Sequence, residues 1–143
     1  MKRALRWSMY ALAALALAFV ASGWFAVGAL RARQSPRYAE TPPAAWSGRV
    51  EELRLRTSDG EDLGAWFVAA SDAQAPTVIL LHGKGGGRGA RVAAAEVFTE
   101  RGCAALLVSL RAHGDSSGER ADFGWSARHD VVAAVAWARA RRP

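Results

Sequence analysis

The chain has 143 residues, 51% of them hydrophobic, with a formal net charge of +6 and one cysteine. That length suits one modest domain, and a lone cysteine excludes an intrachain disulfide and argues against a cysteine-built metal site. The positive charge sits wholly in residues 1–49, while residues 50–143 balance, so it describes membrane topology and not a nucleic-acid surface.

Lys2, Arg3 and Arg6 precede Ser8–Leu30, a stretch without charge. As a helix it would run about 35 Å, enough to cross a bilayer. Trp7, Tyr10 and Trp24 suit interfacial anchoring. A cleaved signal peptide is the competing reading, with a site after Val20-Ala21-Ser22, but the apolar run continues through Trp24, Phe25, Val27 and Leu30. Residues 1–33 are therefore expected to be a single-pass membrane anchor that contacts the lipid bilayer through residues 8–30. The short basic N-terminus favours a domain outside the cytoplasm. Residues 34–49, with Pro36, Pro42 and Pro43, are expected to be an extended tether.

From residue 50 to 143 the pattern is α/β. Val50–Arg56 and Leu63–Ala69 alternate as strands around the turn Ser58-Asp59-Gly60, predicting an antiparallel hairpin. Val78–Leu81 is an apolar run without period and predicts a buried strand. It leads into His82-Gly83 and a loop rich in glycine, then a helix over Ala90–Arg101 with Val92, Ala95 and Phe98 on one face. Cys103 is expected to be a small buried hydrophobe before the strand Ala104–Leu110. A polar loop follows over Arg111–Phe123. A second helix is expected from about Ser126 to Arg141, with Val132, Val135 and Ala136 facing inward.

These marks together resemble the first half of an α/β-hydrolase, close to the lysophospholipase, monoglyceride-lipase and serine-aminopeptidase-like group. The resemblance rests on the opening hairpin, the strand ending in His82-Gly83, the glycine loop, and Leu110-Arg111-Ala112-His113-Gly114-Asp115-Ser116. That run is similar to an Asp-x-Arg-Gly-His-Gly-x-Ser pattern, with Ser109 in place of the aspartate and Ala112 in place of the glycine. Phe123-Gly124 and Asp130 continue it, with Ala127 where glutamate is common. The fold class implied is α/β, the N-terminal part of a hydrolase sheet: an antiparallel hairpin, then parallel strands with crossover helices, after one transmembrane helix. The implied strand order is 1-2-4-3-5.

By the same resemblance the backbone amide of Lys84 is an oxyanion-hole donor, shaped by His82, Gly83, Gly85 and Gly86. His82 reads as a loop-shaping residue rather than a general base, and His113 and His129 as loop and helix-surface residues. Lys84 and Arg88 could meet an anionic substrate group, although basic loop residues are usually solvated. The family's triad follows the second helix in the order Ser, Asp or Glu, His, so residues 50–143 are expected to be a partial domain that is inactive alone.

Two motif matches fail on context. Gly114-Asp115-Ser116-Ser117-Gly118 fits G-x-S-x-G, which offers Ser116 as a weak candidate nucleophile, but no strand enters it and no helix leaves it directly. Gly85-Gly86-Gly87-Arg88-Gly89-Ala90 fits G-x-G-x-x-A, the mark of an NADP-binding Rossmann-type enzyme, yet the preceding hairpin opposes it. The function implied is a membrane-anchored serine hydrolase for a small-molecule or lipid carboxylic ester, or an amide, with no cofactor, metal or nucleic-acid partner. The alternative is a non-catalytic half-domain pairing with another chain, such as a C-terminal half, through an open strand edge.

Overall fold

The structure, a computed structural model, describes residues 2–33 and 36–141. Gln34 and Ser35 of the expected tether, and Arg142 and Pro143, lie outside the described residues. The chain forms two packed units, Met1–Ala32 and Arg33–Pro143.

The first unit is one helix, α1 (Lys2–Arg31). It is apolar and, at 1.5 Å per residue, long enough to cross a membrane. Its large side chains, Trp7, Leu15, Phe19 and Phe25 among them, are exposed. A signal sequence near an N-terminus has the same character.

The second unit is a four-stranded sheet covered on both faces. Its strands are β1 (Val50–Arg56), β2 (Asp62–Val68), β3 (Thr77–Leu81) and β4 (Ala104–Val108). Helix α2 (Val92–Thr99), entered through a short 3-10 turn at Arg88–Arg91, links β3 to β4, and α3 (Arg128–Ala140) follows β4. The order is β1-β2-β4-β3. β1 and β2 pair antiparallel with Val50 opposite Val68, β2 and β4 pair antiparallel, and β3 and β4 run parallel. The order is the one the resemblance implies for these four strands, and the antiparallel hairpin and the parallel β3–β4 pair are as expected.

The period of two divides the strands between two cores. On one face Trp66, Val68, Ala105 and Leu107 pack with Ala95 of α2 and with Trp46. On the other Leu55, Leu63, Ala65, Leu106 and Val108 pack with Ala134 of α3, and Phe67 stacks edge-on against Trp137. β4 is buried at every position, whereas all five residues of β3 are only half-buried. β3 is an edge of the described sheet, with β4 on one side only, as the implied strand order leads one to expect for Val78–Leu81.

Three sequence expectations change. β2 is not a half-exposed alternating strand: Leu63 to Trp66 and Val68 are all buried, because it runs between β1 and β4. In α3 the inward stripe is Asp130, Ala133, Ala134 and Trp137, while Val132 is 61% exposed and Ala136 is exposed too. Asp130 holds the buried position because a buried arginine pairs with it, which turns the apolar pattern by part of a turn. Cys103, in the turn before β4, is half-buried and free.

Residues 36–43 form no helix or strand and belong to the second unit. Arg33 donates to the carbonyls of Ser116 (2.5 Å) and Gly118 (2.9 Å), and its side chain is 8% exposed. Trp46 is buried in the core.

Candidate active site

The loops after β3 and β4 leave the sheet at the carboxyl ends of two parallel strands, where open α/β sheets form their crevices. Between them lies a cleft of about 310 Å³, lined by His82, Lys84, Leu110, His113, Phe123 and their neighbours. Lys84 is exposed, with Nζ 5.3 Å from the centre of the Phe123 ring.

Two histidines pin these loops to each other. His82, at the end of β3, accepts the Leu110 N–H at Nε2 (3.0 Å) and donates from Nδ1 to the Gly83 carbonyl (2.7 Å). His113, in the loop after β4, returns the contact: its Nε2 accepts the Gly85 N–H (3.1 Å) and its Nδ1 donates to the Arg111 carbonyl (2.8 Å). The rings meet edge to face, 4.8 Å apart. A backbone N–H can only donate and a carbonyl can only accept, so both rings are neutral with the proton on Nδ1. Burial also lowers the His82 pKa below its ordinary 6.5, opposed by the Gly83 carbonyl and assisted by His113. The basic nitrogen of each ring is spent on a backbone amide. Neither is placed to take a proton from a nucleophile.

The polar loop after β4 is largely buried. Ser109, Arg111, Ala112, His113 and Ser116 are all under 8% exposed. Ala112 sits at φ +60, a left-handed conformation that explains why the resembling pattern carries glycine there. Ser116 is fully buried, with Oγ donating to the Ser109 carbonyl (2.6 Å) and accepting the Gly64 N–H (3.0 Å). Its hydroxyl cross-links loop to sheet, and Ser116 does not line the cleft.

Two arginines hold the frame, and neither is solvated as a loop cation usually is. Arg88 is 2% exposed; its guanidinium forms a bidentate pair with Asp115 (2.6 and 3.1 Å), meets Glu40 (3.1 Å) and lies over Trp66. Burial pushes Asp115 up, but Arg88, with help from Arg54, overcomes it and holds the carboxyl below its usual range. Arg111 donates from Nε and Nη2 to Asp130 (2.9 and 2.7 Å) and from Nη1 and Nη2 to Asp59 (2.7 and 2.9 Å). Hydrogen bonds from Arg111 and then Thr57 hold Asp59 well below the carboxylate range. His129 is half-buried on α3, its Nδ1 3.0 Å from the Ser58 hydroxyl.

The glycine loop does not present an empty phosphate cradle. The Glu40 carboxylate occupies it, accepting the Gly89 N–H at 3.1 Å. A pyrophosphate there would meet a buried negative charge, which counts against the dinucleotide reading. Sequence reasoning missed the roles of Glu40, Asp115 and Asp59, and it read Arg88 as a substrate contact or a solvated loop cation where the structure buries it in ion pairs. One signal was available: Gly64 inside an apolar strand marks a close approach by another group, here Arg88 and Asp115. Among the described residues no cluster of His, Cys, Asp or Glu could hold a metal ion.

No protein-family model matches the chain, and no curated relative does. Solved structures do. The Pyrococcus furiosus esterase Pf2001 superposes with a TM-score of 0.65 at 25% identity, over 76% of this chain and 45% of its own. The fold is that of an α/β-hydrolase. A putative α/β-hydrolase from Agrobacterium tumefaciens gives 0.59 at 26% identity, over 65% of this chain and 44% of its own. The α/β-hydrolase GrgF from Penicillium sp. sh18 gives 0.56 at 27%, over 62% and 31%. The chain thus spans less than half the length of these hydrolases. The lysophospholipase-like subgroup is not distinguished by them.

Proposed function

We propose that the chain carries the oxyanion-loop part of a membrane-anchored serine hydrolase that cleaves a carboxylic ester, or an amide, through an acyl-enzyme. The observation that carries this reading is the cleft at the ends of β3 and β4, with Lys84 on its wall and both flanking loops fixed by the His82–His113 exchange. In acyl transfer, negative charge develops on the former carbonyl oxygen. A backbone N–H already fixed in place stabilises it without reorganisation, and one such donor is worth roughly 3–4 kcal/mol. The Lys84 amide takes that role, with Gly83, Gly85 and Gly86 letting the loop turn around it. Leu110, Ala121, Phe123 and Ala127 give the cleft an apolar lining suited to an acyl chain. The esterase Pf2001 supports the reaction class by fold and by sequence identity.

Helix α1 supplies the single-pass anchor, with the hydrolase unit outside the cytoplasm and a small-molecule or lipid ester as substrate. The reading requires a Ser–acid–His triad, and no residue of this sequence is assigned to it; Ser116 is a structural serine. Fluorophosphonate labelling of membranes that contain the native gene product tests this. The expected result is a labelled polypeptide whose peptides include residues 50–141, with the label on a serine other than Ser116. A native product left unlabelled beside a labelled control hydrolase, or labelled at Ser116, contradicts the reading.

A further inference from the structure

We infer that Glu40 is a positioning residue for the loop that carries Lys84, supplying from the segment before β1 a carboxylate to a site that an acidic side chain at position 109 would otherwise fill. Three observations meet at this side chain. The side chain is 6% exposed, and its carboxylate sits between the loops after β3 and β4, against Gly87 and Gly114. Oε1 accepts the Gly89 N–H; Oε2 accepts from the Arg88 guanidinium and from the Ser109 hydroxyl. Ser109 Oγ in turn accepts the Arg88 backbone N–H at 2.9 Å. The carboxylate thus fixes two successive amides of the loop, one directly and one through Ser109.

The surroundings are shaped for it. A Cβ built on Gly87 or Gly114 would strike the Glu40 carboxylate, so both loops keep glycine where it passes between them. An aspartate at 109, in the rotamer of Ser109, would put its Cγ where Oγ now sits and its oxygens one bond further on. That is the space Glu40 occupies. The two carboxylates are therefore alternatives: one site, filled in this chain from residue 40. The role in catalysis rests on the oxyanion reading of Lys84; the exchange of carboxylates does not.

Amide hydrogen exchange of the full chain in detergent tests the inference, with Leu106 and Leu107 of β4 as internal controls. Glu40→Ala is expected to speed exchange at Arg88 and Gly89 by about tenfold or more, the loss of a hydrogen bond to a charged group, while the β4 amides hold. Ser109→Asp alone is expected to loosen the same two amides, because two carboxylates then compete for one site. The double variant Glu40→Ala/Ser109→Asp is expected to return both amides to within about twofold of the parent. If Glu40→Ala does not fold, recovery of folded protein by the double variant carries the same meaning. Unchanged exchange in Glu40→Ala, equal acceleration of the β4 amides, or a double variant no better than Glu40→Ala overturns the inference. Failure of fluorophosphonate labelling would remove the hydrolase reading and leave these exchange results standing.

Discussion

Replacing Asp130 with alanine is expected to destabilise the second unit by about 3–5 kcal/mol, the cost of removing one partner from a buried ion pair. Asp130 is wholly buried, and it accepts both the Arg111 side chain and the Arg111 backbone N–H (2.9 Å). Its removal takes one of two carboxylates from Arg111, a residue only 6% exposed, and leaves unpaired the amide at the root of the loop after β4. Asp59 holds the other side of the same guanidinium, but its side chain is 34% exposed, so water can replace it. Asp59→Asn is accordingly expected to cost about 1 kcal/mol or less, near the range of exposed pairs. Urea titration of the full chain in detergent gives both values. Similar losses for the two variants would mean that Asp130 is not the dominant partner.

The second large effect is expected at Gly64, in the middle of β2. A Cβ there would overlap the Arg88 guanidinium and the Asp115 carboxylate, with Asp115 Cγ at 2.9 Å. The Arg88 guanidinium lies over Trp66 and its side chain is 2% exposed, so it has little room to move, whereas the Asp115 side chain, 21% exposed, can yield only toward solvent and away from its partner. Gly64→Ala therefore combines overpacking, about 1–3 kcal/mol, with disruption of a buried ion pair. A loss of about 3 kcal/mol or more is expected from thermal or urea unfolding. In an ordinary strand the same substitution would be mildly stabilising, because alanine restricts the unfolded chain. A neutral or stabilising outcome would show that Arg88 and Asp115 rearrange freely.

What was legible in the sequence follows from what is local. The hairpin could be read because Ser58-Asp59-Gly60 is turn chemistry between two alternating runs. β3 and β4 could be read because Val78–Leu81 and Ala104–Val108 are apolar without interruption. The inward face of α3 could not. The helix is mostly alanine and valine, and its decisive buried residue is an aspartate whose partner lies 19 residues away. Glu40 was less accessible still. Its partners Arg88 and Ser109 are 48 and 69 residues distant, and nothing in a proline-containing stretch marks one acid as buried. Lys84, His82 and the glycine loop were singled out through their order along the chain. The use of His82 and His113 as reciprocal struts depends on two loops meeting in space. Ala112 shows the limit from the other side: the departure from glycine was visible, while its cost, a left-handed backbone at φ +60, needed coordinates.

The central claim is that the His-Gly loop is a fixed frame for a backbone donor and that its histidines are not bases. Nitrogen-15 NMR of the imidazole rings in the full chain measures this directly. Burial lowers the His82 pKa, so its folded form resists a proton that the unfolded ring accepts near 6.5; the associated stability is present above that pH and is lost as pH falls toward the folded value. At pH 7 the account predicts that His82 and His113 are both neutral, protonated at Nδ1, with Nε2 coupled through hydrogen bonds to the amides of Leu110 and Gly85. An Nε2-protonated or charged ring at either position would contradict it.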